Sequence, residues 1–329
     1  MNPQPGDLHV NKPLTDVCVS YMQQDDHFAY WKLFPPVSVQ KQSDIFAVFP
    51  KGAWFRNDAE YRANGTESAG GQGFDVDLSK TYYCNIIGRH YDVSDNQRAN
   101  FDNPIFDPEK NATKFVSAKL MLAAEASFAA KFFAAALWSN NPVGGVSGGG
   151  TDFVFWSDYV NADPIADVDV WKNAILNATG KEPNRLLIGN DVWLILKNHP
   201  AILARMSVTQ QRTLTVKLVA EILELDKLVV GKSIYNAAAI GATDDIKPFY
   251  TKDALLTYSN PNDKPDINDP SAGYSFVWAG RLGSNNQGAR IKKFRMEHLT
   301  ADRVEGELCI DQRIVASDLG VFFNGAIAP

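Results

Sequence analysis

The chain has 329 residues, 45% of them hydrophobic and 21% charged, and its 38 acidic and 32 basic side chains give a formal net charge of −6. This composition is that of a globular protein and excludes a disordered or collagen-like chain, and the length predicts about two domains. This negative net charge argues against a protein that coats nucleic acid or an anionic membrane, because such binding needs clustered Lys and Arg.

The sequence carries no signal for a membrane span or for secretion. Its longest apolar stretch, residues 119–138, is interrupted by Glu125 and Lys131, and the first residues have neither a basic start nor an apolar segment. The three cysteines lie far apart and are odd in number, which favours a reducing compartment over a disulfide framework. Three glycosylation motifs are therefore interpreted as chance matches, at Asn64, Asn111 and Asn177.

Residues 1–44 are predicted to form an arm. Five prolines interrupt any regular element there, yet the aromatic residues between Tyr21 and Phe34 are too frequent for a free tail. Such a segment is expected to lie on a surface, either that of its own chain or that of a neighbouring subunit.

Two strand-like segments flank a long connection. The run 45–49 ends at Pro50, and a second alternating pattern starts at Phe74 and continues to Tyr91. The 23 residues between them, 51–73, can form either a surface loop or a two-stranded protrusion that reaches beyond its own domain. Three aromatic residues favour the protrusion, because exposed aromatic side chains normally need a partner surface. The predicted subunit-contact residues are Lys51, Trp54, Phe55, Arg56, Asp58, Glu60, Tyr61, Arg62 and Glu67.

A long helix is the clearest predicted element. Asp107, Pro108 and Glu109 form a typical helix start, and neither Gly nor Pro follows before Trp138. The predicted helix therefore spans 107–138, as a spine whose small residues let a sheet pack closely. Two apolar rows are expected on its buried side: Phe115, Ala118, Leu122, Ala126, Ala129 and Phe133, and beside them Met121, Ala124, Phe128, Phe132 and Ala135.

After a Gly-rich connection, the remaining chain alternates predicted helices and strands. A buried strand is predicted at 185–189, a polar loop at 259–273, and further strands at 291–296 and 304–315. Four basic residues cluster at the first of these C-terminal strands: Arg290, Lys292, Lys293 and Arg295. Contact with acidic partners and binding to nucleic acid explain this cluster equally well.

The sequence offers no convincing catalytic, metal or cofactor site. Ser147 satisfies Gly-x-Ser-x-Gly, but a nucleophile elbow needs a preceding strand and a following helix, whereas here a helix and Pro142 precede it and a strand-like stretch follows. The Gly-rich connection does not match a phosphate-binding loop, because that motif requires a Lys and none occurs between Lys131 and Lys172. The five histidines show no metal-binding spacing. The chain is therefore predicted not to be an enzyme but to contact copies of itself.

The order of these elements resembles the major capsid proteins of tailed bacteriophages with the Hong Kong 97-type fold. In that family an N-terminal arm, an extended β-hairpin loop and a long spine helix precede an axial domain, and long strands then return to a peripheral domain. The segment 184–193, followed by His199 and Pro200, resembles the strand and helix of the axial domain. The segments 307–311 and 318–321 resemble the closing strands.

The resemblance implies an α+β fold of this type and a set of domain boundaries. These are an arm at 1–44, an extended loop at 45–93, a peripheral domain at 94–160 with the spine at 107–138, an axial domain at 161–285, peripheral strands at 286–312 and a closing strand at 313–329. It also places the polar loop near the symmetry axis of each capsomer, where the axial-loop candidates are Asp263, Asp266 and Asp269.

The implied function is that of a coat protein that assembles into hexamers and pentamers and forms the icosahedral head of a phage. The implied partners are other copies of the chain, a portal protein, a decoration or cement protein, and a scaffolding protein that is separate because this arm is short and proline-broken. The shell would enclose double-stranded DNA without sequence-specific binding, form in the bacterial cytoplasm, and use neither cofactor nor membrane. An encapsulin-like shell that encloses cargo is the alternative, and a serine hydrolase using Ser147 is a weaker one.

Overall fold

The computed structural model describes residues 23, 25–48, 51–68, 70, 76–100, 107–205, 214–261, 270–280 and 288–328. The helices are α1 (Tyr30–Leu33), α2 (Lys51–Trp54), α3 (Asp95–Asn100), α4 (Pro108–Phe132), α5 (Pro164–Thr179), α6 (Asn190–Asn198), α7 (Pro200–Ala204) and α8 (Val216–Ile222). The strands are β1 (Pro36–Val39), β2 (Ser43–Ile45), β3 (Thr81–Tyr83), β4 (Asn85–Ser94), β5 (Gly144–Gly145), β6 (Phe153–Val154), β7 (Arg185–Gly189), β8 (Lys227–Gly231), β9 (Ile234–Asn236), β10 (Ile246–Pro248), β11 (Ala254–Thr257), β12 (Gly273–Trp278), β13 (Ala289–Met296), β14 (Ala301–Ile314) and β15 (Gly320–Phe323). None of the helices within these ranges is long and apolar enough to cross a bilayer.

The spine helix α4 begins as predicted but ends earlier. The Asp107 carboxylate accepts hydrogen bonds from the Glu109 and Lys110 amides at 3.0 and 3.2 Å, which satisfies two of the free N–H groups at the helix start. The helix ends at Phe132 and not at Trp138, so the predicted span 107–138 is too long. The Trp138 indole N–H donates to the Phe132 carbonyl at 2.7 Å, and this side-chain bond satisfies a carbonyl at the helix end.

The buried face of α4 differs from the predicted apolar rows. Its buried apolar residues recur at every fourth position: Ala112, Val116, Leu120, Ala124, Phe128 and Phe132. No member of the predicted row that starts at Phe115 is buried, and the second predicted row contributes only its central three residues. A spacing of four rotates the stripe by about 40° at each step, because a helical turn has 3.6 residues. The stripe therefore winds around the helix and follows the twist of the strands beneath it.

Strand β14 is the centre of the sheet that packs against α4. It pairs antiparallel with β13 and β12 along one edge and with β4 along the other, and β1 extends the sheet by pairing parallel to β12. Gly306 of β14 faces the spine, and a Cβ at this position would overlap Val116 Cγ1 and lie 2.9 Å from Leu120 Cδ1. The absence of a side chain at Gly306 therefore lets helix and strand approach closely.

The second sheet has the strand order β15-β11-β7-β8. Strands β7 and β8 are parallel, and β11 is antiparallel to both of its neighbours. Leu186, Leu187 and Ile188 are all fully buried, as expected for a central strand that is covered on both faces. Helices α6 and α8 contact β7 and β8, and the buried residues of this sheet belong to the same hydrophobic core as Leu120 and Phe128 of the spine.

Among the described residues of the predicted β-hairpin, pairing between its two sides is confined to the base. Ser43–Ile45 and Thr81–Tyr83 form a three-residue antiparallel ladder, followed by a single bridge between Val48 and Asp77. Residues 51–54 form a helical turn, and residues 55–68 contain no strand. This stretch lacks the alternation of apolar and polar residues that would hold two strands in register, which explains the absence of a ladder.

We predict that Gly306→Ala destabilises the chain by about 1–3 kcal/mol, because the added methyl group overpacks the contact with Val116 and Leu120. Gly88→Ala on the neighbouring strand is the matched control, since its new Cβ would meet its nearest neighbours only at 3.9 Å. The control should change the free energy of unfolding by no more than about 0.5 kcal/mol. Urea unfolding of both variants measures the difference, and equal effects would contradict close packing at Gly306.

Candidate subunit-contact surfaces

Ser147 does not lie in a nucleophile elbow. It is exposed between β5 and β6, two short parallel strands, so a strand follows it where the elbow requires a helix. Within the described part of the chain, no three His, Cys, Asp or Glu side chains are grouped to hold a metal ion. The remaining candidates are contact surfaces.

The loop surface, residues 51–68, carries all nine predicted subunit-contact residues, and each of them is exposed. Tyr61 is fully exposed, and 60% of Trp54 and 62% of Phe55 remain accessible. Large aromatic side chains exposed in one segment are typical of an interaction surface. Their contact with a second subunit stays a prediction. The predicted axial-loop residues lie outside the described residues: Asp263, Asp266 and Asp269.

The start of the loop surface contacts its own chain. The Lys51 ammonium group pairs with the Asp318 carboxylate. The Phe55 ring lies against Gly180, where a Cβ would come within 3.3 Å of the ring. Gly180 ends α5 with a φ of +67°, a conformation that favours glycine. These contacts fix the beginning of the loop near the end of α5.

A buried carboxylate holds β3, the strand at the base of the predicted hairpin. Asp311 of β14 accepts hydrogen bonds from the Tyr83 amide at 3.0 Å, from Lys131 Nζ of the spine at 3.0 Å and from Arg313 Nε at 2.8 Å. Burial acts to raise the pKa of Asp311, but these donors together hold it below its ordinary value. The charged form of Asp311 therefore joins the base of the loop, the spine helix and β14.

Residues 25–34 of the arm dock on their own chain. Four of these residues are buried against their own chain: Phe28, Tyr30, Leu33 and Phe34. The sequence left open whether the arm lies on its own chain or on a neighbouring subunit, and the described arm residues lie on their own chain. The docking point is Glu125 of α4, which is fully buried. Its carboxylate accepts the Ala29 amide at 2.9 Å, the Tyr30 amide at 3.0 Å and the Ser233 hydroxyl at 2.9 Å.

Sequence reasoning missed the role of Glu125 and treated it only as a charge that interrupts an apolar stretch. The available signal was a single carboxylate beside Ala124 on the buried side of a helix, which requires hydrogen-bond donors from elsewhere. Burial raises the pKa of Glu125, and the hydrogen bonds that it accepts oppose the shift. Burial and the nearby Glu125 charge also raise the pKa of Tyr250.

The basic cluster on β13 finds acidic partners within its own chain. Arg290 Nε donates to Glu307 at 2.8 Å, Lys293 pairs with Glu109 at 2.6 Å, and Arg295 binds both carboxylate oxygens of Asp95 at 2.6 Å. Lys292 also approaches Glu307, at 3.5 Å. The cluster is therefore neutralised within the chain and does not form the basic face that nucleic acid would need.

Comparisons with known proteins agree with this architecture. No family model matches the chain. A stretch of 74 residues, 22% of the chain, is 32% identical to the major capsid protein of Burkholderia phage BcepMu and covers 24% of that protein. The chain therefore spans about a quarter of the length of the curated relative that it matches.

Solved structures match over nearly the whole chain. A phage-related protein from Bordetella bronchiseptica RB50 is 19% identical, with 92% of this chain and 93% of that chain covered and a TM-score of 0.66. The capsid protein of cyanophage P-SCSP1u is 11% identical over 98% and 94% of the two chains, with a TM-score of 0.58. The chain has the fold of phage capsid proteins. The α+β fold of the Hong Kong 97 type, predicted from the sequence, is thereby confirmed.

The same fold occurs in an encapsulin. The SrpI encapsulin from Synechococcus elongatus PCC 7942 is 12% identical over 97% of this chain and 96% of that chain, with a TM-score of 0.50. In this fold the base of the predicted hairpin and the arm are separate segments around the spine, and each is held to α4 or to β14 by a buried carboxylate.

We predict that Glu125→Gln lowers the free energy of unfolding at neutral pH by about 1–3 kcal/mol, because the amide NH2 would face donors that now bind a carboxylate. Since the folded pKa of Glu125 lies above that of the unfolded chain, the wild type gains stability relative to the variant as the pH falls through the folded pKa toward 4.5. Urea unfolding across this pH range measures the difference in free energy of unfolding between the wild type and Glu125→Gln. This difference should increase as the pH falls.

Glu109→Gln is the control for this comparison, because it removes the same charge from a partly exposed position on the same helix. Losing its surface ion pairs should cost less than about 1 kcal/mol. If the difference in free energy of unfolding between the wild type and Glu125→Gln decreased as the pH falls, this would contradict a raised pKa of Glu125.

Proposed function

We propose that this chain is the major capsid protein of a tailed double-stranded-DNA phage, a structural protein that assembles into hexamers and pentamers. The observation that carries the proposal is the match to the cyanophage capsid protein, which extends over nearly the full length of both chains. The sequence identity of one stretch to a phage major capsid protein supports the same role.

The charge distribution supports a shell that encloses DNA without binding its sequence. The chain is acidic overall, and the basic residues of β13 are occupied by Glu307, Glu109 and Asp95. A lining of this kind leaves a packaged genome free to move, because few phosphate contacts form. The proposed partners are other copies of the chain, a separate scaffolding protein, a portal protein and a decoration protein, in a virion assembled in the host cytoplasm.

In the proposed shell, the loop surface contacts a neighbouring subunit. Its aromatic and charged side chains are exposed, while Lys51 holds the start of the loop on its own chain and Asp311 holds Tyr83 at the base of the predicted hairpin. A loop that is held at its start, and whose following strand is held at the hairpin base, has less freedom to lose on binding, so more of the contact energy remains for association.

A cellular nanocompartment that encloses a cargo protein is the second candidate, because the SrpI encapsulin shares the fold. The two functions differ in particle contents. Particles that carry nuclease-protected double-stranded DNA after infection would support the capsid, and particles that carry a defined protein would support the nanocompartment. Electron microscopy of the purified chain, alone and with candidate scaffolding proteins, tests the feature that both share, which is a closed shell.

We predict that Tyr61→Ser lowers the yield of closed shells without changing monomer stability by more than about 0.5 kcal/mol, because the fully exposed ring has no packing to lose in the monomer. Deletion of residues 54–70 is expected to leave a soluble, folded chain that forms no shells. Val160→Ser is the control, since this apolar side chain is 88% exposed outside the loop. Shells of normal yield from the deletion variant would show that the loop surface is not an assembly element.

A further inference from the structure

The dipeptide Asn-Gly occurs twice in the sequence, at Asn64–Gly65 and at Asn324–Gly325. Both asparagines are exposed. Both glycines also have a positive φ, +83° at Gly65 and +67° at Gly325. The two sites therefore offer the same residues, in similar local conformations, to solvent.

Asn-Gly can modify itself, because glycine has no Cβ to hinder its backbone nitrogen. That nitrogen attacks the Asn side-chain carbon Cγ, so an N–Cγ bond forms and the Cγ–Nδ2 bond breaks. The proton of the Gly N–H leaves with the amide group as ammonia, and a succinimide ring remains. Water then opens the ring at either carbonyl and gives aspartate or isoaspartate. The rate depends on how often the backbone brings nitrogen and Cγ together in the reacting geometry.

The backbone at Asn324–Gly325 is held in place. The Gly325 N–H donates to Asp253 Oδ1 at 2.7 Å, so the attacking nitrogen is already engaged. The Asn324 N–H donates to the Pro142 carbonyl at 2.9 Å, and the Asn324 carbonyl accepts the Gly144 N–H at 2.9 Å. Ring closure at this site requires these bonds to break.

The backbone at Asn64–Gly65 is held much less firmly. The turn around it is closed by Thr66, whose N–H and hydroxyl both donate to the Ala63 carbonyl, at 3.2 and 2.8 Å. A Cβ added to Gly65 would meet nothing within 4 Å. Opening this turn therefore requires little more than the loss of bonds between Thr66 and Ala63.

We propose that Asn64 is a deamidation site of the folded chain, and that the fold protects Asn324 from the same reaction. The modification adds one negative charge to the loop surface, where three basic and three acidic residues now balance. Resting on the proposed function, we further infer that this charge weakens the contact with a neighbouring copy, so that chains that remain unassembled lose assembly competence with time.

The test is to incubate the purified folded chain at mildly alkaline pH and to follow the peptides that contain Asn64 and Asn324 by mass spectrometry. Deamidation should be at least about tenfold faster at Asn64 than at Asn324. At Asn324 the hydrogen bond from the Gly325 N–H to the Asp253 carboxylate must break before the ring can close. In urea the two rates should become similar, and Asn64→Gln should abolish the fast reaction. Equal rates in the folded chain, or an Asn64 that reacts only after unfolding, would overturn the proposal.

The effect on assembly is measured with Asn64→Asp and with Asn177→Asp, which adds the same charge at an exposed position on α5. The first variant should give fewer particles than the second, and added salt should reduce the difference because it screens the charge. Equal particle yields would overturn the effect on assembly. If the wild type forms no particles even with a scaffolding protein present, the proposed function fails, whereas deamidation at Asn64 is still read from the mass spectra.

Discussion

The carboxylate of Glu125 is the point at which the three parts of the fold meet. It lies on the spine helix, away from water, and its hydrogen bonds come from the arm at Ala29 and Tyr30 and from Ser233 beside the second sheet. A buried charge is costly unless it is paired or hydrogen-bonded, so the arm and Ser233 must both be in place for the spine to be stable. Because the Glu125 carboxylate needs the hydrogen bonds that the arm donates, the spine helix is stable only when the arm is docked.

A second buried carboxylate performs a related task for the loop. Asp311 belongs to the sheet, and Lys131 of the spine reaches it close to the helix end. The pKa values of the two carboxyl groups move in opposite directions. Burial dominates at Glu125, whereas at Asp311 two cationic donors and an amide outweigh burial. Acid therefore affects the two attachments differently: protonation removes the charge at the arm site before it reaches the site at the base of the loop.

The sequence predicted the features that depend on neighbouring residues and missed those that depend on distant ones. The start of α4 followed from Asp107 and Pro108, which act locally. Its end could not be predicted, because the Trp138 indole folds back from beyond the helix to bond Phe132. The apolar rows were wrong because the buried face winds with a twisted sheet that the periodicity does not describe. The predicted loop residues are exposed, and their contact with a second subunit stays a prediction. Nothing in the sequence shows that Glu125 receives the arm.

The edge of the sheet around β14 has a consequence for aggregation of the chain. Among the described strands, β13 pairs only with β14, so it is an edge strand of this sheet. Such an edge can recruit a strand from another molecule, and charged side chains oppose this. β13 carries four basic side chains, and all four are held in ion pairs with Glu307, Glu109 and Asp95: Arg290, Lys292, Lys293 and Arg295. A further strand could pair with β13 only by fitting between these charged side chains, so the ion pairs that neutralise the cluster also hinder β-aggregation along this edge.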